Sequence, residues 1–97
     1  MTGEEKPRAV PSMQADNERV RVIKWSFAPG AATGWHRHAY DYVVVPLTTG
    51  ILRMHGADDA ADVPVTAGEI YWRKAGVEHD VENANDYDFA FVEVEVK

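Results

Sequence analysis

APGAATGWHRHAYDYVVVPLTTG, Ala28 to Gly50, is the stretch from which the fold and the chemistry of this chain are read. It opens on a Pro29-Gly30 turn and closes on Thr48-Thr49-Gly50. Between the turns lie His36, His38 and the run Tyr40 to Leu47, in which Val43, Val44 and Val45 are β-branched in a row. Such side chains suit the pleated surface of a strand. Successive strand side chains point to opposite faces, so His36 and His38 point one way and Arg37 the other. At a rise of ~3.3 Å per residue the two histidines stand about 6.6 Å apart, within reach of one ion. Pro46 cannot donate to a sheet ladder, which puts this strand end at an edge or a bulge.

The rest of the chain reads the same way. Residues 18–27 alternate at Val20 and Val22, then switch parity to Ile23, Trp25 and Phe27, which suggests a bulge or a strand covered on both faces. Ile51 to His55 and Asp62 to Thr66 are short strands around an acidic hairpin loop, Gly56 to Ala61. Ile70 to Arg73 is a short aromatic strand, and His79 to Val81 resumes an extended path after the Lys74–Val77 loop. In Asp88 to Lys97, Ala90, Val92, Val94 and Val96 share one face and Glu93 and Glu95 the other, the pattern of a half-buried strand with its glutamates on the polar side. No segment carries a helical period. Short strands separated by Gly, Pro, Asn and Asp turns predict an all-β sandwich or barrel.

At 97 residues the chain is one domain. Residues 1–17 are polar, with Pro7 and Pro11, and read as a loose N-terminal arm, with strand pairing of part of it left open; residues 18–97 form the domain proper. A small core leaves a thin stability margin, so pairing into a homodimer through a sheet is expected. There are no cysteines, which excludes disulfides, thiol nucleophiles and thiolate zinc sites. The net charge of −6 argues against nucleic acid and anionic membranes as partners. No apolar run approaches the ~20 residues of a membrane span, and MTGEEKPRAV lacks the features of a signal peptide. A cytoplasmic protein is the expectation.

A second half-motif runs from Gly68 to Asn83 and supplies His79. Gly30, five residues, His36, one residue, His38, and Gly50 after eleven more form the first pattern; Gly68, seven residues, Gly76, two residues, His79, three residues and Asn83 form the second. In both spacings the chain, from about Val20 to its end, resembles a small single-domain cupin. The resemblance implies a double-stranded β-helix, or jelly-roll barrel, with one divalent transition metal (Fe, Mn, Zn or Ni) held inside by His36, His38 and His79. Two positions depart from the pattern. Lys74 stands where the second motif usually has proline, a matter for a turn. The first motif's glutamate ligand falls at Tyr42 or Val43, and at Val43 with Gly50 as anchor; neither is a carboxylate. Asp41, on the strand face of Val43, and the phenol of Tyr42 are the alternatives for a fourth ligand. With three neutral imidazoles alone, the ion keeps its full +2 charge and favours an anionic partner, such as a small carboxylate, in its open positions.

WHRHAYDYVVVPLTTG, YWRKAGVEHDVENAN and FAFVEVEVK are also similar to a narrower group, the small cupins called beta-alanine degradation proteins. That resemblance implies a catabolic setting with a small amino acid, or its aldehyde or keto-acid product, as ligand. Trp35 and Tyr71 are the aromatic candidates for a pocket, most of the others filling the core. Arg73 or Arg53 would pair with a substrate carboxylate if either points inward. His55 reads as a surface residue, and Asn83 as the holder of a turn. No general acid or base stands out: Tyr42, Asp41 and Glu78 are only neighbours of the histidines. The residues leave open a metal-dependent enzyme of dioxygenase or isomerase type and a ligand-binding or accessory protein with a vestigial metal site.

Overall fold

The computed structural model describes residues 6–97. Nine strands follow one another without a helix among the described residues: β1 (Val10–Asp16), β2 (Val20–Phe27), β3 (His36–Arg37), β4 (Asp41–Pro46), β5 (Gly50–His55), β6 (Ala60–Val65), β7 (Tyr71–Arg73), β8 (Glu78–Asn83) and β9 (Phe89–Val96). They form a five-stranded sheet in the order β1-β2-β9-β4-β7 and a four-stranded sheet in the order β3-β8-β5-β6. All pairings between named strands are antiparallel. The two sheets close over an apolar interior as a double-stranded β-helix. No helix among the described residues is long and apolar enough to cross a membrane.

The core lies between the sheets. Phe27 and Phe91 meet at 5.4 Å between ring centroids, and Phe89 stands edge-on to Phe27 at 6.5 Å. Tyr42, Val44, Leu52, Val65 and Val81 complete the cluster. Pro46 ends β4 opposite Phe91 and is buried, a position that needs no amide hydrogen; its carbonyl accepts from the Gly68 amide at 2.9 Å.

One sequence expectation is sharpened here and another changes. Residues 1–5 of the expected arm lie outside the described residues, but Val10 to Asp16 is strand β1, paired along β2 with one register shift between Met13 and Ala15. Every β1 residue is exposed, so backbone hydrogen bonds rather than a buried side-chain face hold it. Just before it, the Ala9 amide donates to the Ala32 carbonyl and the Pro7 carbonyl accepts from the Ala32 amide.

The change concerns β9. Its buried side chains are Phe89, Phe91, Glu93 and Glu95, while Ala90, Val92 and Val94 are half-buried on the outer face. The glutamates of the presumed polar side therefore point into the barrel. The physical reason is that the two phenylalanines share their phase, and burying two aromatic rings outweighs burying alanine and valine in their place.

Candidate metal centre

Strand pairing brings the histidines together. His36 of β3 lies directly opposite His79 of β8. His38, one residue past β3, is fixed at both backbone groups: its amide donates to the Val77 carbonyl at 2.9 Å, and its carbonyl accepts from Gly76 at 2.8 Å. Gly76 makes that bond from a left-handed conformation, φ +100°, which a side chain would strain. The loop before His36 is tied down by Asp80, whose carboxylate accepts from the Gly34 amide at 3.0 Å.

The three imidazoles converge through their Nε2 atoms. His38 Nε2 lies 3.0 Å from His36 Nε2 and 3.2 Å from His79 Nε2, and one ligand atom from each histidine lies within 4.8 Å of the others. His36 Nδ1 is 2.8 Å from the Gly34 carbonyl, which takes its hydrogen and leaves Nε2 as a lone pair facing inward. At metal–nitrogen lengths of ~2.0–2.1 Å, nitrogen–nitrogen edges are about 3.0 Å for ligands at right angles and about 3.4 Å in a tetrahedron. The donor set therefore fits a divalent transition ion in type, and its two short edges fit one in spacing. Protonation is suited as well. Burial, followed by the neighbouring histidines, lowers His38 and His79 to about 4, so both are neutral, the metal-binding form, at physiological pH.

Beside the cluster is a cavity of about 240 Å³, bounded by His79, Tyr42, Tyr71, Arg73, Phe91 and Glu93 among others. It is smaller than the roughly 300–1,000 Å³ sites of drug-sized molecules and suits a small metabolite. A larger, open cleft of about 370 Å³ lies elsewhere, against Arg8, Lys24 and Asp88, and contains none of the three histidines.

The remaining predicted residues divide. Tyr71 and Arg73 line the cavity, with the guanidinium 4.8 Å above the Tyr71 ring and its Nη1 donating to the Trp72 carbonyl at 3.1 Å. Trp35 does not line it: it sits in the bend just before β3 and is 54% exposed. Tyr42 faces the cavity and stacks on His38 at 3.8 Å between centroids. Its hydroxyl is buried with no hydrogen-bond partner, and burial above all pushes the phenol's pKa upward, which keeps it a neutral donor. Val43, the aligned glutamate position, is therefore on the outer face, together with Asp41. The Asp41 carboxylate accepts from the Ala75 amide at 2.8 Å, so it serves the Lys74–Val77 loop and is not among the clustered donors.

Arg53 pairs with Asp62 at 2.7 and 3.0 Å, away from the cavity. His55 bonds Glu82 at 2.7 Å. Asn83 is buried and holds the turn after β8, donating to the Tyr87 and Ala28 carbonyls at 2.8 and 3.2 Å.

One residue escaped the sequence reading. Glu93 lines the cavity, and its Oε2 is 4.0 Å from His38 Nε2. This is not an ion pair, because burial keeps His38 neutral despite the nearby carboxylate. Burial, and then the charge of Glu95, push the Glu93 carboxyl up to about 7, with Trp25 and Arg21 pulling it down. The available signal was phase: Glu93 and Glu95 alternate in step with Phe89 and Phe91.

Two sheets closing over a histidine cluster, together with a match to the cupin domain family over residues 23–95, show that this chain belongs to the cupin family. It is 53% identical over 92 residues to the beta-alanine degradation protein BauB of Pseudomonas aeruginosa, covering 95% of this chain and 97% of that one. A more distant relative, the oxalate-binding protein of Thermotoga maritima, is 27% identical over 84 residues, covering 86% of this chain and 68% of its own. Among solved structures, a cupin domain from Bordetella pertussis superposes with a TM-score of 0.95 at 50% identity, covering 98% of this chain and 99% of that one. A double-stranded β-helix protein from Klebsiella pneumoniae, with a TM-score of 0.76 at 22% identity, covers 92% and 76% respectively and shares the fold.

Proposed function

We propose that this cupin holds one divalent transition metal on His36, His38 and His79 and binds a small carboxylate metabolite beside it, in a catabolic pathway such as beta-alanine degradation. The convergence of three inward-facing Nε2 atoms, at spacings that suit one ion, carries the proposal. Such an ion supplies Lewis-acid or redox chemistry to whatever reaches its open positions. The protein's part is to hold the imidazoles neutral, to limit the cavity to a small molecule and to present Arg73 to a carboxylate at its wall. The similarity to BauB supports the catabolic setting.

The test is a calorimetric titration of metal-loaded and metal-stripped protein with beta-alanine, related keto acids and oxalate. The loaded protein is expected to bind at least one of them, the stripped protein to bind it far less, and Arg73→Gln to weaken it roughly 10-fold, the loss of a charge-assisted pair. Equal binding with and without metal contradicts the proposal.

A second reading, a carrier or accessory cupin without turnover, is favoured by the relative named for binding oxalate. Consumption of the bound compound by the loaded protein would exclude that reading, and tight binding without consumption would establish it. The fully exposed β1, with Val10 and Met13 outward, supports a homodimer formed along that edge, which sedimentation at micromolar concentration would detect.

A further inference from the structure

The first cupin motif usually brings a carboxylate to the metal from the strand that follows its histidines, and this chain has none there facing inward. Val43 and Asp41 point away from the cavity, and Tyr42, which points in, offers only a neutral phenol. The adjacent strand does carry an inward carboxylate. Glu93 on β9 pairs in register with Val44 of β4 on one side and Ile23 of β2 on the other. Neither neighbour carries a charge, and Trp25 offers the carboxylate a hydrogen bond but no counter-charge. The nearest arginine of that strand pair, Arg21, is engaged with Glu95 through two bonds, at 2.7 and 3.3 Å. Glu93 is 7% exposed, lines the cavity and has an oxygen 4.0 Å from the inward nitrogen of His38. Burying a carboxylate without a cation is costly unless a metal or another partner compensates it.

We infer that Glu93 is the carboxylate ligand of the metal centre, supplied from β9 in place of the missing one on β4. The inference rests on the three-histidine reading above. The 4.0 Å separation is longer than the 3.0 and 3.2 Å spacings among the imidazole nitrogens, so Glu93 would hold the ion from the cavity side of His38 with a small turn of its side chain. The consequence is chemical. The site's charge falls from +2 to +1 and one open position is filled. A substrate carboxylate is then held less by the ion alone, which leaves more of its orientation to Arg73.

The experiment uses the full-length, untagged protein, stripped of metal and titrated with Co(II) against a competing chelator at pH 8. Wild type, Glu93→Gln, Glu93→Met and His79→Ala are compared, with the visible Co(II) bands reporting the ligand set. Glu93→Gln and Glu93→Met are expected to lower Co(II) affinity by about 30–100-fold or more and to change the bands, since even groups that only support a ligand are worth 10–100-fold. Their thermal stabilisation by Co(II) should shrink in step. Affinity within threefold of wild type in either folded variant would overturn the inference. So would weaker affinity with unchanged bands, because Glu93 would then act only through an imidazole or a bound water. If wild type binds no Co(II), or His79→Ala binds it equally well, the three-histidine reading itself fails and the Glu93 assignment falls with it.

Discussion

Glu93 and Glu95 stand two residues apart on the same inward face of β9, and they are 7% and 6% exposed. Glu95 lies opposite Arg21 of β2, which grips both of its oxygens at 2.7 and 3.3 Å. Glu93 lies between Ile23 and Val44 and looks into the cavity. The fold pairs one carboxylate directly with a cation, and gives the other only a Trp25 hydrogen bond and the more distant pull of the same Arg21. A buried charge compensated within the protein is part of its architecture, whereas one left uncompensated is a standing cost that a bound cation can offset. The histidines follow the same logic: buried neutral, they are disfavoured as cations and prepared as ligands.

Several substitutions break or sharpen this contrast. The largest effect is expected at the cluster itself, where His79→Ala should reduce metal affinity by more than about 100-fold, since even supporting residues are worth 10–100-fold; chelator competition measures it. Next comes Arg21→Met, which strands Glu95. Removing one member of a buried pair costs 3–5 kcal/mol, and because Arg21 is a third exposed the expected loss is about 2 kcal/mol, read as a fall in denaturation midpoint with metal absent.

Glu93→Gln should act in the opposite direction on the metal-free protein. The folded Glu93 value of about 7 lies above its ordinary 4.5, so its favourable contribution is complete below 4.5 and is lost as pH rises through 7. The amide removes that penalty and should raise stability by about 1–2 kcal/mol at pH 8 and by nothing measurable at pH 4.5. His38 and His79 set the opposing acid limb. Their folded values of about 4 lie below 6.5, so their contribution is present above 6.5 and lost as pH falls toward 4. Thermal melts across pH 4–8 separate the two. The smallest effect belongs to a third carboxylate: Asp41→Ala, losing one bond to the Ala75 amide, should cost about 0.5–1 kcal/mol and leave metal affinity unchanged.

What could be read in the sequence was what depends on local period and residue chemistry. His36 and His38 share a face because strand side chains alternate, and the glycine and histidine spacings of the two half-motifs marked His79 as the third of the set. Alternation does not say which face is inside. In β9 the even residues are uniformly apolar and the odd ones mix phenylalanine with glutamate, so the pattern by itself favoured the wrong face. Only the closed barrel, with Phe27 already in place against Phe89 and Phe91, decides it. The same ambiguity hid the inward turn of Tyr42 and the outward turn of Val43. Strand β1 was only faintly legible for a different reason: it buries no side chain, and backbone bonding leaves no hydrophobic period to read.

Metal content tests the central claim most directly. Untagged protein, purified without immobilised metal and analysed by elemental mass spectrometry, is expected to carry close to one divalent transition ion per chain, and His79→Ala close to none. Near-zero metal in the wild type after reloading, or full retention in His79→Ala, would contradict the account.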